Sequence, residues 1–162
     1  DFANGYFSLG LAQLNLGDLD TAIVNLKKAT DIKPEYPQAF FNLGVAMRKA
    51  EKRIEALEYF QQSINLKKDY IRAYNLLGVT HKELGQYDEA LKNFQIAINL
   101  DPNYAEAFNN LGNTFKELGK FEESNFYFRK AIDIKPDYAD AYDNLGRASM
   151  LNLDFQQASN AS

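Results

Sequence analysis

The sequence predicts an all-α solenoid of antiparallel helix–turn–helix hairpins, and three observations carry that prediction. Leucine–glycine pairs recur at Gly10, Gly44, Gly78, Gly112 and Gly146, spaced by 34 residues each time. Between successive pairs, the apolar residues follow a helical period in two stripes separated by a turn. The 162 residues are 46% hydrophobic and 14% aromatic, ample for a buried core and too apolar for a disordered chain. A fixed period of this length sets the architecture, because one hairpin cannot bury two apolar stripes alone and must stack on its neighbours.

With repeat position 1 placed at residue 3, full units cover 3–36, 37–70, 71–104 and 105–138, and a partial fifth covers 139–162. The whole chain, 1–162, thus reads as one array. The first helix of each unit carries an aromatic at position 4 (Tyr6, Phe40, Tyr74, Phe108, Tyr142), and positions 4, 7, 8 and 11 share one face. A turn follows at position 15, where Gly17, Gly85 and Gly119 suit a helix C′ site; Glu51 and Leu153 replace glycine there. The second helix carries its stripe at positions 20, 21, 24, 27 and 28, as in Ala90, Leu91, Phe94, Ala97 and Ile98. Pro34, Pro102 and Pro136 mark the loop to the next unit, which closes on Tyr36, Tyr70, Tyr104 and Tyr138. The glycines of the Leu-Gly pairs, inside a helix, each cost about 1 kcal/mol against alanine. Small residues at positions 20 and 27 predict the compensation: a close, small-against-small approach of the two helices of each hairpin.

A 34-residue unit with Leu-Gly at positions 7–8, Gly at 15, Ala at 20, an aromatic at 24, Ala at 27 and Pro at 32 resembles the tetratricopeptide repeat. Residues 71–104 (IRAYNLLGVTHKELGQYDEALKNFQIAINLDPNY) and 105–138 match best, and the resemblance spans the chain in five registered copies. Departures fall at Glu51, Leu153, Lys68, Gln13 and Ser149. The resemblance implies a right-handed superhelix whose first helices line a concave groove. It also implies a module without catalysis of its own, which holds peptides, partner proteins or an attached enzyme domain.

Composition narrows the function further. With 18 basic and 22 acidic residues the formal net charge is −4, which argues against nucleic acid as a partner. The absence of cysteine excludes a disulfide scaffold, a thiolate nucleophile, an iron–sulfur cluster and a Cys-based zinc site. His81, the one histidine, falls at position 11 beside Met47 and Phe115 in neighbouring units and reads as a packed interhelical residue. Every Leu-Gly pair lies inside a helical stripe, so none is a phosphate-cradling loop. No enzyme activity, metal or cofactor is expected. No apolar run approaches the ~20 residues of a membrane span, and no signal-peptide pattern opens the chain. A soluble, cytoplasmic protein without a membrane partner is the expectation.

The resemblance places positions 5, 9 and 12 on the concave side. Read along the units, these give Phe7, Phe41, Asn75 and Asn109; Leu11, Val45, Val79 and Asn113; and Leu14, Arg48, Lys82 and Lys116. The predicted groove thus passes from an apolar end to a polar, basic middle. First helices spaced about 8–10 Å apart would space the Arg48, Lys82, Lys116 column to match acidic groups three residues apart on an extended peptide. Exposed pairs of this kind contribute only ~0.2–1 kcal/mol each, so the column steers, and anchoring falls to Phe7, Leu11, Leu14, Phe41 and Val45. The expected partner is a protein or peptide segment with acidic groups and an apolar anchor, held by a non-catalytic interaction scaffold. Asn42, Asn110 and Asn144 at position 6 are similar to the asparagine ladder in the repeat arm of O-linked N-acetylglucosamine transferases. That likeness implies the alternative, a substrate-recruiting arm of a larger enzyme such as a glycosyltransferase or sulfotransferase. A carboxylate clamp fits less well, because Phe7 and Leu11 stand where Lys and Asn would be needed. In the fifth unit the first helix is expected over about 139–152 and the second breaks off within Phe155–Ser162, leaving Met150, Leu151, Leu153 and Phe155 without their usual cover. A fragment of a longer protein, or self-association through this end, is expected.

Overall fold

The computed structural model describes residues 2–160. Among them every regular element is a helix: α1 (Phe2–Leu16), α2 (Leu19–Ile32), α3 (Pro37–Lys49), α4 (Arg53–Leu66), α5 (Ile71–Glu83), α6 (Tyr87–Leu100), α7 (Ala105–Glu117), α8 (Phe121–Ile134) and α9 (Ala139–Asn160). The chain divides into two compact units, Asp1–Gln86 with α1–α5 and Tyr87–Ser162 with α6–α9. The division falls in the turn of the third repeat. Within the first unit α1 packs on α2 and α3 on α4, while α2·α3 and α4·α5 join successive repeats. Within the second, α7 packs on α8, and α6·α7 and α8·α9 join repeats. The all-α fold of stacked hairpins is as the periodicity predicts.

Four of the turns at position 15 share one device. Gly17, Gly85 and Gly119 take φ of 81°, 72° and 72°, and Glu51 follows them at 62°. The next residue's amide reaches back five residues in each case: Asp18 to the Gln13 carbonyl (3.0 Å), and Lys52 to Met47, Gln86 to His81 and Lys120 to Phe115 (2.9 Å each). A second bond runs from the left-handed residue itself to the carbonyl three back, as from Gly119 to Lys116 at 3.1 Å. This is the Schellman motif, which satisfies helix-end carbonyls. Glu51 therefore keeps the turn geometry that its departure from glycine leaves open in the sequence. Leu153 does not: α9 is one unbroken helix through that position, so the separate second helix expected in the fifth unit is replaced by a continuation of the first. A Cβ-bearing residue in the left-handed region costs roughly 1–2 kcal/mol. At Glu51 the burial of Ala56, Phe60, Ser63 and Ile64 by the following helix offsets it.

The glycines of the Leu-Gly pairs have a different partner from the one expected. A Cβ on Gly10 would come within 2.8 Å of Leu26, one on Gly44 within 2.8 Å of the Phe60 ring, and one on Gly112 within 2.6 Å of the Phe128 ring. Each glycine thus receives the large position-24 side chain of its own hairpin, sixteen residues on. The small residues at positions 20 and 27 (Ala22, Ala29, Ala56, Ser63, Ser124 and Ala131) are fully buried and flank that side chain on its own helix. The contact is a large side chain, leucine or a phenylalanine ring, against glycine backbone, not small against small. Two further small columns, unremarked in the sequence, are also fully buried: Ala39, Ala73, Ala107 and Ala141 at position 3, and Ala46, Thr80, Thr114 and Ala148 at position 10. In α1 the same positions, Gly5 and Ala12, are exposed. These columns are therefore where a first helix meets the repeat before it. Buried hydroxyls are satisfied by backbone: Ser63 donates to Pro37 O and Ser124 to Gly112 O, both at 2.8 Å.

Candidate functional site

Helices α1, α3 and α5 of the first unit lie side by side and bring the predicted groove residues into one row. Leu11, Val45 and Val79, at position 9, are all half-buried there. Phe7 is also half-buried. Phe41 is only 2% exposed and Leu14 only 5%, so neither is offered to a partner as the sequence reading expects. For Phe41 the physical cause is the tyrosine that closes its own unit: the Phe41 and Tyr70 rings lie 4.9 Å apart, as do those of Phe7 and Tyr36. Leu14 instead joins the core cluster with Ala22, Ile23 and Leu26. Phe7 and Phe41, each paired with its closing tyrosine, thus form an aromatic floor in the first two units, next to Leu11 and Val45. Arg72 lies over the Phe41 ring at 5.2 Å, adding an exposed cation at its edge.

The tyrosines register this burial chemically. Desolvation pushes the Tyr36 phenol above its ordinary value. Tyr70 is raised by the same cause, partly opposed by the nearby Arg72 charge. In the second unit Tyr138 is raised by desolvation and by the neighbouring Glu106, Asp140 and Tyr104, while a hydrogen bond with Asn109 lowers it. Asn109 is itself 6% exposed and accepts from Asn144 Nδ2 at 3.1 Å. Asn75 is likewise 6% exposed. Both asparagines are buried polar groups of the fold, not open ligand contacts as expected.

The cationic column is not a row of solvated charges. Arg48 Nη1 meets Glu83 Oε1 at 2.6 Å. Arg53 Nε lies 3.4 Å from the other carboxylate oxygen, and Arg53 also pairs with Glu51. One carboxylate on α5 thereby ties the end of α3 to the start of α4. Lys116 donates to Asn113 Oδ1 at 3.1 Å, one turn back on α7; Lys82 is half-buried. The asparagine ladder is similarly committed: Asn42 Nδ2 donates to Gln38 O at 2.7 Å, and Asn144 to Asn109. His81 is half-buried, with Nδ1 2.6 Å from Gln86 Oε1, at the end of its helix. No helix among the described residues is long and apolar enough to cross a membrane.

Sequence reasoning missed the closing tyrosines as the cover of position 5, and missed Glu83 and Arg53 as partners of the column. A signal exists for the latter. Arg48–Glu83 and Asn109–Asn144 are each 35 residues apart, one repeat plus one residue. Complementary pairs at that offset mark contacts between successive first helices.

Models of the TPR repeat and the tetratricopeptide repeat match residues 14–50 and 81–119, 59–92, and 105–138. The solved structure of YrrB, described as a TPR protein with an unusual peptide-binding site, is 30% identical over 87% of this chain and 73% of its own, with a TM-score of 0.78. The chain belongs to the tetratricopeptide repeat family. Another structure similar to this tetratricopeptide repeat protein is that of MamA, 25% identical over 98% of this chain and 87% of its own, with a TM-score of 0.82. The PilF structure from Pseudomonas aeruginosa, 23% identical over 98% of this chain and 72% of its own with a TM-score of 0.84, shares the fold. No curated protein sequence matches the chain.

Proposed function

We propose that this tetratricopeptide repeat protein is a non-catalytic protein-interaction scaffold that holds a partner segment along the first helices of its N-terminal unit. The observation that carries this reading is the half-buried row Leu11, Val45 and Val79 beside the Phe7–Tyr36 and Phe41–Tyr70 ring pairs. An apolar row beside a pre-formed aromatic floor removes water from a partner's side chains without ordering any residue of its own. Membership in a repeat family built for partner binding, and likeness to YrrB with its peptide-binding site, support the same reading. The segment is anchored by apolar side chains. Glu83 already offsets Arg48, so steering of an acidic segment rests on the exposed Arg72. The enzyme-arm alternative is not favoured, since Asn42 and Asn144 direct their amides to groups within the chain.

The test is selection of peptides from a random display library on the purified chain, followed by titration calorimetry of the winners against the parent and Val45→Asp. A charge in the middle of the row should weaken selected peptides at least tenfold, a loss of ~1.4 kcal/mol. Enriched peptides that bind Val45→Asp as tightly as the parent would place the binding surface elsewhere.

A further inference from the structure

We propose that the partner segment held along Leu11, Val45 and Val79 is a polyproline II stretch with an apolar side chain at every third residue, whose carbonyls accept hydrogen bonds from the Tyr36 and Tyr70 hydroxyls. The proposal rests on the reading above and specifies the class of segment that the row takes.

The pitch of the row selects the conformation. Leu11, Val45 and Val79 hold the same repeat position on α1, α3 and α5, which lie side by side. They therefore recur at the spacing of packed helices, about 8–10 Å. A polyproline II segment has three residues per turn and rises about 3.1 Å per residue, so one face of it repeats every ~9.3 Å. A β-strand shows the same face every ~6.6 Å, too short for the row. An α-helix comes back to one face after seven residues, about 10.5 Å on, and is the nearest competitor.

The closing tyrosines decide between these two. Each ring is engaged within the chain: Tyr36 by Phe7 at 4.9 Å and by Lys33 Nζ at 4.7 Å, Tyr70 by Phe41 at 4.9 Å and by Lys67 Nζ at 5.3 Å. Both tyrosines are half-buried, and no hydrogen bond ties either hydroxyl to another described residue. Position 5 explains why. Phe7 and Phe41 have no polar atom to meet the phenol, whereas Asn109 stands at that position in the second unit and bonds the Tyr138 side chain. The first unit thus keeps two phenol donors, one repeat apart. A polyproline II segment makes no internal hydrogen bonds, so its carbonyls need such donors. Carbonyls inside an α-helix already have theirs. Donors one repeat apart meet carbonyls three residues apart, the same period that the apolar row imposes. Prolines between the apolar residues fix the segment in advance and lower the entropic cost of holding it.

The probe is the fluorescein-labelled peptide Leu-Pro-Pro-Leu-Pro-Pro-Leu-Pro-Pro, titrated with the whole chain and followed by anisotropy. Saturable binding is expected, weakened roughly tenfold or more by Val45→Asp or by grouping the three leucines at one end of the same composition. Tyr36→Phe and Tyr70→Phe keep the ring pairs, and each should weaken the peptide by about fivefold, the effect of one ordinary hydrogen bond. Absence of saturable binding, equal affinity for the regrouped peptide, or indifference to both tyrosine variants would overturn the proposal. The groove reading fails separately. Library-selected peptides that lose affinity with Val45→Asp but carry no three-residue period, or that bind as helices, would leave the groove standing and overturn the polyproline II segment. Selected and designed peptides that all ignore Val45→Asp would overturn both.

Discussion

The ring of Phe60 lies so close to Gly44 that a Cβ on the glycine would stand 2.8 Å from two ring carbons. This contact sets two opposing terms for Gly44→Ala. Alanine gains about 1 kcal/mol of helix propensity. Against this, the buried ring must shift in a close-packed core, and overpacking of this kind costs about 1–3 kcal/mol. Phe60 is fully buried, so the steric term wins. Urea denaturation should show Gly44→Ala destabilised by about 1 kcal/mol or more, whereas Gly146→Ala, with open space around its Cβ, should be stabilised by up to about 1 kcal/mol. Equal effects at the two sites would mean that the ring, not the glycine, adapts.

Glu51 invites the reverse experiment. Its φ of 62° lies in the left-handed region that the other three turns reach with glycine. Glu51→Gly removes the Cβ strain and should stabilise by about 1 kcal/mol. Its ion pair with Arg53 offsets little of that gain, since the Glu51 side chain is 71% exposed. Thermal melts of the parent and variant at matched pH decide the point, and a lower midpoint for Glu51→Gly would show that the pair outweighs the strain.

The repeat register is legible in the sequence because positions 8, 15 and 24 each have a steric requirement that few residues meet: no Cβ under a ring, a left-handed turn, and a side chain large enough to fill the gap. Gly44, Gly85 and Phe60 answer those requirements and recur. The candidate site is less legible for a physical reason. Whether Phe41 faces a partner or the core depends on Tyr70, 29 residues away across a loop, and no helical period connects the two. Arg48 looks like one of a column of solvated cations until Glu83 is brought beside it from the next repeat. Contacts between repeats follow the stacking offset, not the 3.6-residue period of a helix, so a wheel drawn for one helix misses them.

Glu83 is a shared acceptor, and its removal should cost more than removal of either arginine. Arg48 and Glu83 side chains are 25% and 27% exposed, so the pair is partly shielded from water. Glu83→Gln leaves the Arg48 guanidinium without its counter-charge, while Arg53 keeps Glu51, and a loss of about 1–2 kcal/mol is expected. Arg48→Met keeps the aliphatic stem and the Arg53 contact, and should lose less than half as much. A double-mutant cycle of Arg48 and Glu83 in urea should give a coupling energy of about 1 kcal/mol; a coupling near zero would reduce the pair to surface decoration.

Alkaline pH should unfold the protein through its closing tyrosines. Tyr36, Tyr70 and Tyr138 have folded pKa values above the ordinary 10.0. Below the unfolded value the phenols are protonated in both states, and their contribution to stability is fully present and independent of pH. As pH rises past 10.0 and through the folded values, the unfolded chain ionises first, and the native state loses that contribution progressively. Urea midpoints should therefore be level from these groups between about pH 7 and 9 and fall above about pH 10. Tyr70→Phe keeps the ring against Phe41 and removes the ionisable hydroxyl, so its midpoint should fall less steeply over the same range. If the parent and Tyr70→Phe decline in parallel, the alkaline loss comes from lysine deprotonation and not from the aromatic floor.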